Sequence, residues 1–343
     1  MSRLSPILLL AWCSLLAGSS ALAIAAEKSP APVTQVWLID TRSAPGCGNL
    51  EAGLSQIAYY RLDESCGCGQ WQASDAAALD ASAVAGVPTT VLIHGYGTDA
   101  DWAVRHGNAL YGLMKQQAGG RPFRLIVWSW PADRAGGRVR PDVQIKVCRS
   151  DVEAYYLARV LSKVSHQGAP LSLVGYSLGC RTASGALQLL AAGPVAGRSL
   201  APEVLAAWNH AGPRPVRVML LAPAMDADWL EKCSPRGLAP LAVERMLVVT
   251  NGCDRVLKWY SRLYGRHGPE ALGHVGPTGT AGGKLDVVDV CCEVGRKHDF
   301  DLYQESSPVC QRLAWYTFLC EAPATAAKIT GKSDLAANNR PAR

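Results

Sequence analysis

The sequence lacks the patterns that mark nucleic-acid-binding and nucleotide-binding proteins. Its formal net charge is only +6 over 343 residues, and lysine and arginine do not cluster as they do in nucleic-acid-binding proteins. The mildly basic stretch GGRVRPDVQIKVCR (136–149) is predicted to be a solvated loop. Neither a glycine-rich phosphate loop nor a dinucleotide-binding fingerprint is present. We therefore expect neither a nucleic-acid partner nor a nucleotide cofactor.

The N-terminus lacks an uninterrupted apolar run of the length that spans a membrane. The apolar stretch within residues 1–26 follows Arg3, is broken by serine and glycine at positions 14 and 18–20, and ends in small residues at 21–25. This layout is typical of a secretory signal peptide. We expect residues 1–26 to be cleaved and the mature protein to be exported, either to a periplasm or outside the cell, with no stable membrane span.

A metal-ligand set is missing as well. Cys66-Gly67-Cys68 and Cys291-Cys292 lack the usual two-residue gap between paired zinc ligands, so we expect no metal. Eleven of the twelve cysteines lie after the signal peptide, and in an exported chain they predict disulfides. Because eleven is odd, at least one is free or pairs outside the chain. Cys180 is the candidate, since it is expected in the buried first turn of a helix.

Apolar runs that alternate with helical patterns make up most of the remaining sequence. This alternation predicts an α/β fold, with a mostly parallel twisted sheet of about eight strands and helices on both faces. The first two runs are less apolar and are predicted to form an antiparallel edge. The runs are residues 36–40, 56–62, 89–95, 123–130, 171–175, 217–224, 245–251 and 284–290.

The expected domain organisation follows from the same pattern. Residues 85–320 are predicted to form the core, and residues 27–84 to add N-terminal strands and loops to the same domain. The pattern DVEAYYLARVLSKV (151–164) predicts a helix with one apolar stripe. Residues 321–343 contain few large apolar side chains and are predicted to be a disordered tail.

One predicted strand ends abruptly in the sequence Gly175-Tyr-Ser177-Leu178-Gly179, and a helical pattern follows. A sharp strand-to-helix turn strains its central residue and requires small neighbours two positions away on each side. Gly175 and Gly179 meet this requirement, so Ser177 would project above the sheet edge as a nucleophile elbow. The N–H groups at the start of the helix would face an oxyanion formed there.

A second predicted strand ends in His94-Gly95-Tyr96-Gly97. In a parallel sheet this loop would lie beside the elbow, and its backbone N–H groups would complete an oxyanion hole. Tyr96 N–H and Leu178 N–H are the predicted donors. His94 is predicted to be a structural histidine under the loop rather than a base.

Together, the stretches VLIHGYG, IVWSWPA and LVGYSLG resemble the α/β-hydrolase superfamily, in particular its lipase-like and esterase-like serine hydrolases. The similarity is greatest to a poorly characterised bacterial branch with HGY, a WSWP strand end and a later Asp–His pair. It covers roughly residues 85–320. The resemblance implies a catalytic triad in the order nucleophile, acid, histidine, with the last two residues on loops after late strands.

Two histidines compete for the role of base. His298 follows the last predicted strand and precedes the last helix, from where it would reach Ser177, and His274 is the alternative. The acid has two candidates also. The resemblance favours Asp254, in the loop after the strand at 245–251, over Asp226, in the loop one strand earlier. The acid would hold the tautomer of the histidine and stabilise its imidazolium form.

These residues predict a serine hydrolase that cleaves carboxylic esters through an acyl-enzyme on Ser177. The chemistry needs no cofactor, and the expected substrate is a small-molecule or lipid ester. A thioesterase or peptidase would use the same triad. A different alternative is an exported, hydrolase-like binding protein without catalysis. Residues 131–150 or 262–283 are candidates for a cap over the site.

Overall fold

Nine strands form a single sheet in the computed structural model, which describes residues 33–64, 69–164, 168–210, 214–279 and 281–321. Their order across the sheet is β3-β2-β1-β5-β4-β6-β7-β8-β9. The strands are β1 (Gln35–Asp40), β2 (Ala58–Asp63), β3 (Gln70–Ser74), β4 (Thr89–Ile93), β5 (Arg124–Ser129), β6 (Leu171–Tyr176), β7 (Val216–Leu221), β8 (Arg245–Thr250) and β9 (Leu285–Asp289).

The sheet is mostly parallel. β1 and β4 to β9 run in the same direction, and β2 is antiparallel to both β1 and β3. All eight of the apolar runs that we predicted begin and end within three residues of an observed strand. The first two runs pair antiparallel as expected, but neither is the edge strand. β1 lies inside the sheet and pairs in parallel with β5, and β2 lies between β1 and β3. The expected count of about eight omitted β3, whose sequence QWQAS forms an exposed edge without an apolar run.

Helices pack on both sides of the sheet, which confirms the predicted α/β class and is consistent with the α/β-hydrolase fold. The α-helices are α1 (Leu50–Gly53), α2 (Ala76–Ala81), α3 (Ala100–Ala118), α4 (Val139–Val164), α5 (Leu178–Leu190), α6 (Pro202–His210), α7 (Arg255–Lys258), α8 (Leu272–Val275), α9 (Cys291–Val294), α10 (Phe300–Glu305) and α11 (Ser307–Tyr316). Short 3₁₀ turns cover Leu54–Gln56, Ala239–Ala242, Tyr260–Leu263 and Ala281–Gly283.

Helix α4 begins twelve residues earlier than the sequence predicts, at Val139 instead of 151. The stretch 136–149, predicted as a solvated loop, is therefore mostly helical, and so is most of the cap candidate 131–150. Pro141 is tolerated because it lies in the first turn, where a missing N–H breaks no helical hydrogen bond. The buried face of this part carries Asp142 and Lys146, whose charges hide the apolar stripe from the sequence pattern.

Several predictions concern residues outside the described part of the chain. The predicted signal peptide (1–26), Cys66, Cys68 and nearly all of the predicted tail belong to this group. The described residues lie within one compact unit, Pro32–Arg343. None of the helices described here has the length and apolar character that crossing a membrane requires.

The carboxyl ends of the parallel strands share one edge of the sheet, and this edge positions the loops of interest. Ile93 at the end of β4 is paired with Gly175 near the end of β6, so the loop after β4 lies beside the loop after β6. Both strands are buried along their whole length. Functional side chains at this edge are thereby mounted on a rigid core.

Candidate active site

Ser177 occupies the sharp turn between β6 and α5. Its backbone lies in the left-handed half of conformational space, at φ 52° and ψ −117°, which a non-glycine residue rarely adopts. Gly179 is required here, because a Cβ at that position would lie 2.1 Å from the carbonyl oxygen of Ile93. A Cβ on Gly175 would lie 2.9 Å from Cα of Cys180. The two glycines thus allow strand and helix to approach, as the elbow interpretation requires.

His298 lies in the loop between α9 and α10 and contacts Ser177 directly. Its Nε2 is 2.9 Å from Oγ of Ser177, and its Nδ1 is 2.6 Å from Oδ2 of Asp254. The ring stacks on Tyr176, with centroids 5.2 Å apart and planes inclined by 29°. In the neutral imidazole these contacts are satisfied when Nδ1–H donates to Asp254 and Nε2 accepts the serine proton.

Asp254 is fully buried and has a hydrogen-bond partner on each carboxylate oxygen. It is the N-cap of α7, where Oδ1 accepts from the backbone N–H groups of Val256 and Leu257 at 2.8 and 3.1 Å. Oδ2 accepts from His298 and from the hydroxyl of Tyr303, which is 2.6 Å away. Burial alone would raise the pKa of this carboxyl, but the hydrogen bonds outweigh it and lower the pKa below its ordinary value. Asp254 is therefore a carboxylate at neutral pH.

The loop that carries Asp254 is fastened to the segment that leads to His298. A disulfide joins Cys253, next to Asp254, to Cys291 at the start of α9. Asn251 Nδ2 donates to the carbonyl oxygen of Gly295 at 2.9 Å. Acid and base thus belong to one cross-linked pair of loops. Cys180, the predicted free thiol, is unpaired and buried, and burial raises its pKa.

The loop after β4 lies against the other side of Ser177. A Cβ on Gly95 would lie 2.9 Å from Cβ of Ser177 and 3.1 Å from the carbonyl oxygen of Tyr176, so only a glycine permits this approach. The side chain of Tyr96 is anchored by its hydroxyl, which donates to Asp142 on α4 at 2.8 Å. Of the two residues predicted to supply oxyanion donors, Leu178 is the first residue of α5, and Tyr96 follows Gly95, which contacts the elbow.

His94 supports this loop from below. Its Nδ1 is 3.1 Å from the carbonyl oxygen of Gly95, and its Nε2 accepts from the backbone N–H of Trp130 at 3.2 Å. The indole N–H of Trp130 donates in turn to the carbonyl oxygen of His94, and the two rings stack. Burial lowers the pKa of His94 from 6.5 to about 3, so the ring is neutral. Its contacts are those of a structural histidine.

The two alternative candidates have partners elsewhere. Asp226 accepts a hydrogen bond from the hydroxyl of Tyr260 at 2.6 Å. Nδ1 of His274 lies 3.5 Å from the carbonyl oxygen of Asn251. Neither side chain takes part in the hydrogen bonds that join Ser177, His298 and Asp254.

Sequence reasoning missed Tyr176 and Tyr303, which hold the base and the acid. Tyr176 precedes the serine, and its ring stacks on His298. Tyr303 belongs to α10 and is completely buried. A buried tyrosine in a strand or an amphipathic helix has the sequence pattern of an ordinary core residue, so no local signal distinguishes them.

Within the described ranges, no group of three or more histidine, cysteine, aspartate or glutamate side chains is arranged to hold a metal ion.

No family model matches the chain, and no curated protein matches it. Among solved structures, the chain is similar to the crystal structure of TT1662 from Thermus thermophilus, with a TM-score of 0.40 and 16% sequence identity over 78% of this chain and 94% of that chain. A likeness at this level says nothing about activity.

Proposed function

We propose that the protein is a serine hydrolase that cleaves carboxylic esters through an acyl-enzyme on Ser177. The observation that carries the proposal is the continuous chain of hydrogen bonds from Ser177 Oγ through His298 to Asp254, with lengths of 2.9 and 2.6 Å. A nucleophile, a base and an orienting acid within hydrogen-bond reach of one another are the parts that acyl transfer needs. Their positions on the elbow and on the loops after β8 and β9 support the assignment of roles.

The first half of the reaction forms the acyl-enzyme. Oγ of Ser177 attacks the ester carbonyl while Nε2 of His298 accepts the serine proton, and Asp254 stabilises the resulting imidazolium. The N–H groups of Tyr96 and Leu178 stabilise the negative charge on the carbonyl oxygen. His298 then gives its proton to the leaving alkoxide, and the alcohol departs. The serine is left acylated.

The second half repeats these steps with water as the nucleophile. His298 takes a proton from the water, whose oxygen attacks the acyl carbon and passes through a second oxyanion. When this intermediate collapses, the proton on His298 returns to Oγ of Ser177 and the carboxylic acid is released. Thioesters and activated amides are compatible with the same steps. Esters are the proposed substrates because the resemblance that the motifs carry is to esterase-like hydrolases.

Two measurements on the purified mature chain test the proposal. A fluorophosphonate probe should label the protein and should fail to label Ser177→Ala, and the same variant should lose hydrolysis of short p-nitrophenyl esters. The matched control is Ser172→Ala, in β6 five residues earlier, whose hydroxyl contacts the backbone of Tyr316. The folded Ser172→Ala variant should still be labelled by the fluorophosphonate probe. A Ser177→Ala variant with unchanged turnover would exclude the mechanism, and an unlabelled native chain would favour a binding protein.

A further inference from the structure

We propose that a basic rim beside the candidate active site docks on a lipid surface that carries anionic phosphate headgroups. The basic rim comprises the segment Arg255–Arg266 with Arg140 and Arg296. The inference rests on the function proposed above, because such a surface would present an ester-bearing lipid to Ser177. It therefore names the class of substrate for that site.

The rim encloses two adjoining cavities lined by cations. Arg255, Lys258, Arg262 and Arg296 line a cavity of about 770 Å³. Arg262 also lines a second cavity of about 410 Å³, together with Arg140 and Arg266. Neither cavity is lined by an aspartate or a glutamate. Six cations without an acid produce a positive potential that attracts several anionic groups at once.

These cations are not neutralised by the rest of the described chain. None of the six forms an ion pair with a described residue, and all six are exposed. Arg140 donates to the carbonyl oxygen of Leu263, and Arg262 lies 3.6 Å above the centre of the Trp259 ring. Arginines elsewhere in the structure are often paired, as Arg149 is with Glu153. The rim charge is thus available to a partner.

The same segment exposes apolar and aromatic side chains. Val256, Trp259 and Tyr264 are 56%, 57% and 45% exposed. Tryptophan and tyrosine favour the boundary between headgroups and hydrocarbon, where one end of the ring is apolar and the other meets water. Basic residues next to such rings are typical of proteins that lie on anionic membrane surfaces.

The rim lies at the edge of the sheet that carries Ser177. Its main segment follows the carboxyl end of β8 directly, and α4 begins after the carboxyl end of β5. Arg140 and Gln144 of α4 both donate to the carbonyl oxygen of Leu263, so the two parts are joined. In the sheet, β5 and β8 stand on opposite sides of β6, the strand that ends at the serine. A surface held by the rim would therefore face the catalytic edge.

A lipid surface accounts for both the cations and the exposed aromatic rings of the rim. Inorganic phosphate would neutralise the cations and leave Trp259 and Tyr264 in water. A nucleic acid duplex presents phosphates but no hydrocarbon. An anionic bilayer supplies a plane of phosphates with hydrocarbon directly beneath, which matches charges and rings that share one short segment.

The test measures vesicle binding by the mature Ser177→Ala chain, which cannot degrade the lipid. Co-sedimentation compares vesicles of phosphatidylcholine with vesicles in which part of the lipid is phosphatidylglycerol. We expect strong binding only to the anionic vesicles, weakened by added salt. In the same background, Lys258→Gln with Arg262→Gln should weaken binding about 25-fold, at roughly fivefold per cation removed. Trp259→Ala should weaken it without changing the salt dependence.

The matched control is Arg121→Gln with Lys163→Gln, which removes two exposed cations at the opposite edge of the sheet, before β5 and at the end of α4. It should bind like the parent. Equal binding to both kinds of vesicle, or equal loss in rim and control variants, would overturn the proposal. The proposal would also be overturned if inorganic phosphate, at the concentration of lipid phosphate, displaced the protein from the vesicles. Binding of the protein to duplex DNA but not to vesicles would overturn it as well. Because the binding assay needs no catalysis, its failure is distinct from an absence of ester hydrolysis.

Discussion

On one side of Ser177 lie His298 and Asp254, on loops that follow the last two strands; on the other side lies the loop His94–Gly97, which follows β4. The first side is held by a disulfide and by hydrogen bonds between the two loops. The second side is held by buried contacts to neighbouring core elements, including the pair formed by His94 and Trp130. Both sides meet the serine, but through different kinds of interaction.

The difference corresponds to what the proposed mechanism requires of each side. Proton transfer requires charged and titratable side chains, and these are kept in register by covalent and charge-assisted bonds between loops. Oxyanion stabilisation requires fixed backbone N–H groups, and these are kept in place by close packing around a glycine and a neutral histidine. The first side should therefore be sensitive to changes in charge and in redox state. The second side should be sensitive to changes in side-chain volume and to the protonation of His94.

The largest expected effect comes from Asp254→Asn. An asparagine amide in this position would donate to Nδ1 of His298, so the ring would carry its proton on Nε2 and could not accept one from Ser177. We expect kcat for a short ester to fall by about 10⁴-fold in a folded protein. The control, Asp226→Asn, changes the alternative acid, whose partner is Tyr260. A loss in the control that exceeds the loss in Asp254→Asn would exchange the roles of the two residues.

A smaller effect is expected when the disulfide between the acid and base loops is removed. Cys253→Ser with Cys291→Ser removes a cross-link between residues separated by 38 positions. Because the unfolded chain then gains conformational entropy, the free energy of unfolding should fall by about 3 to 4 kcal/mol. Urea denaturation measures this loss, and kcat should fall with it because the two loops can separate. Cys148→Ser with Cys233→Ser changes two exposed, unpaired cysteines and should do neither. Equal stability of both double variants would show that the cross-link is unimportant.

On the other side, Gly95→Ala tests the close packing of the loop. The added methyl group would lie 2.9 Å from Cβ of Ser177, so the loop has to retreat from the elbow. We expect kcat to fall about 10- to 100-fold through weaker oxyanion stabilisation, with the free energy of unfolding much less affected. Gly112→Ala is the control, because its Cβ would meet no atom within 4 Å on helix α3. A Gly95→Ala variant with native kcat would place the oxyanion donors elsewhere.

The sequence predicted those features that depend on short-range patterns. Buried parallel strands are continuous apolar runs, and the elbow needs its glycines within two residues of Ser177, so both are visible locally. The neighbourhood of the loops after β4 and β6 follows from the predicted parallel sheet. Of two candidate acids and two candidate bases, Asp254 and His298 are the ones that contact each other, and His298 also contacts the serine.

The features that sequence reasoning missed depend on contacts between distant segments. The sequence pattern did not show the start of α4 because two charged residues, Asp142 and Lys146, lie on its buried face. They are buried because they form hydrogen bonds to Tyr96 and to the backbone of Pro131, and these distant contacts leave no apolar periodicity in the sequence. Strand β3 has no apolar run because it is an exposed edge. The partner of Cys253 and the role of Tyr303 are likewise properties of the assembled loops.

The last effect, which is confined to acid pH and concerns the oxyanion side, is a change in the pH dependence of stability caused by His94→Gln. Burial keeps the pKa of His94 at about 3 in the folded chain, whereas its ordinary value is 6.5. Between these values the unfolded chain binds a proton that the folded chain does not, so the free energy of unfolding falls as the pH falls from 6.5 towards 3. The contribution amounts to about 1.4 kcal/mol per pH unit at most.

Glutamine in position 94 retains an acceptor for the N–H of Trp130 and does not titrate. Relative to the native chain, His94→Gln should therefore lose less stability between pH 6.5 and the acid range, as measured by urea denaturation at a series of pH values. Asp254, whose lowered pKa also makes the fold less stable at low pH, is present in both chains and cancels in the comparison. His267→Gln replaces an exposed histidine and should follow the native curve. Parallel curves for His94→Gln and the native chain would mean that His94 is protonated in the fold, and the oxyanion loop would then rest on a charged imidazole.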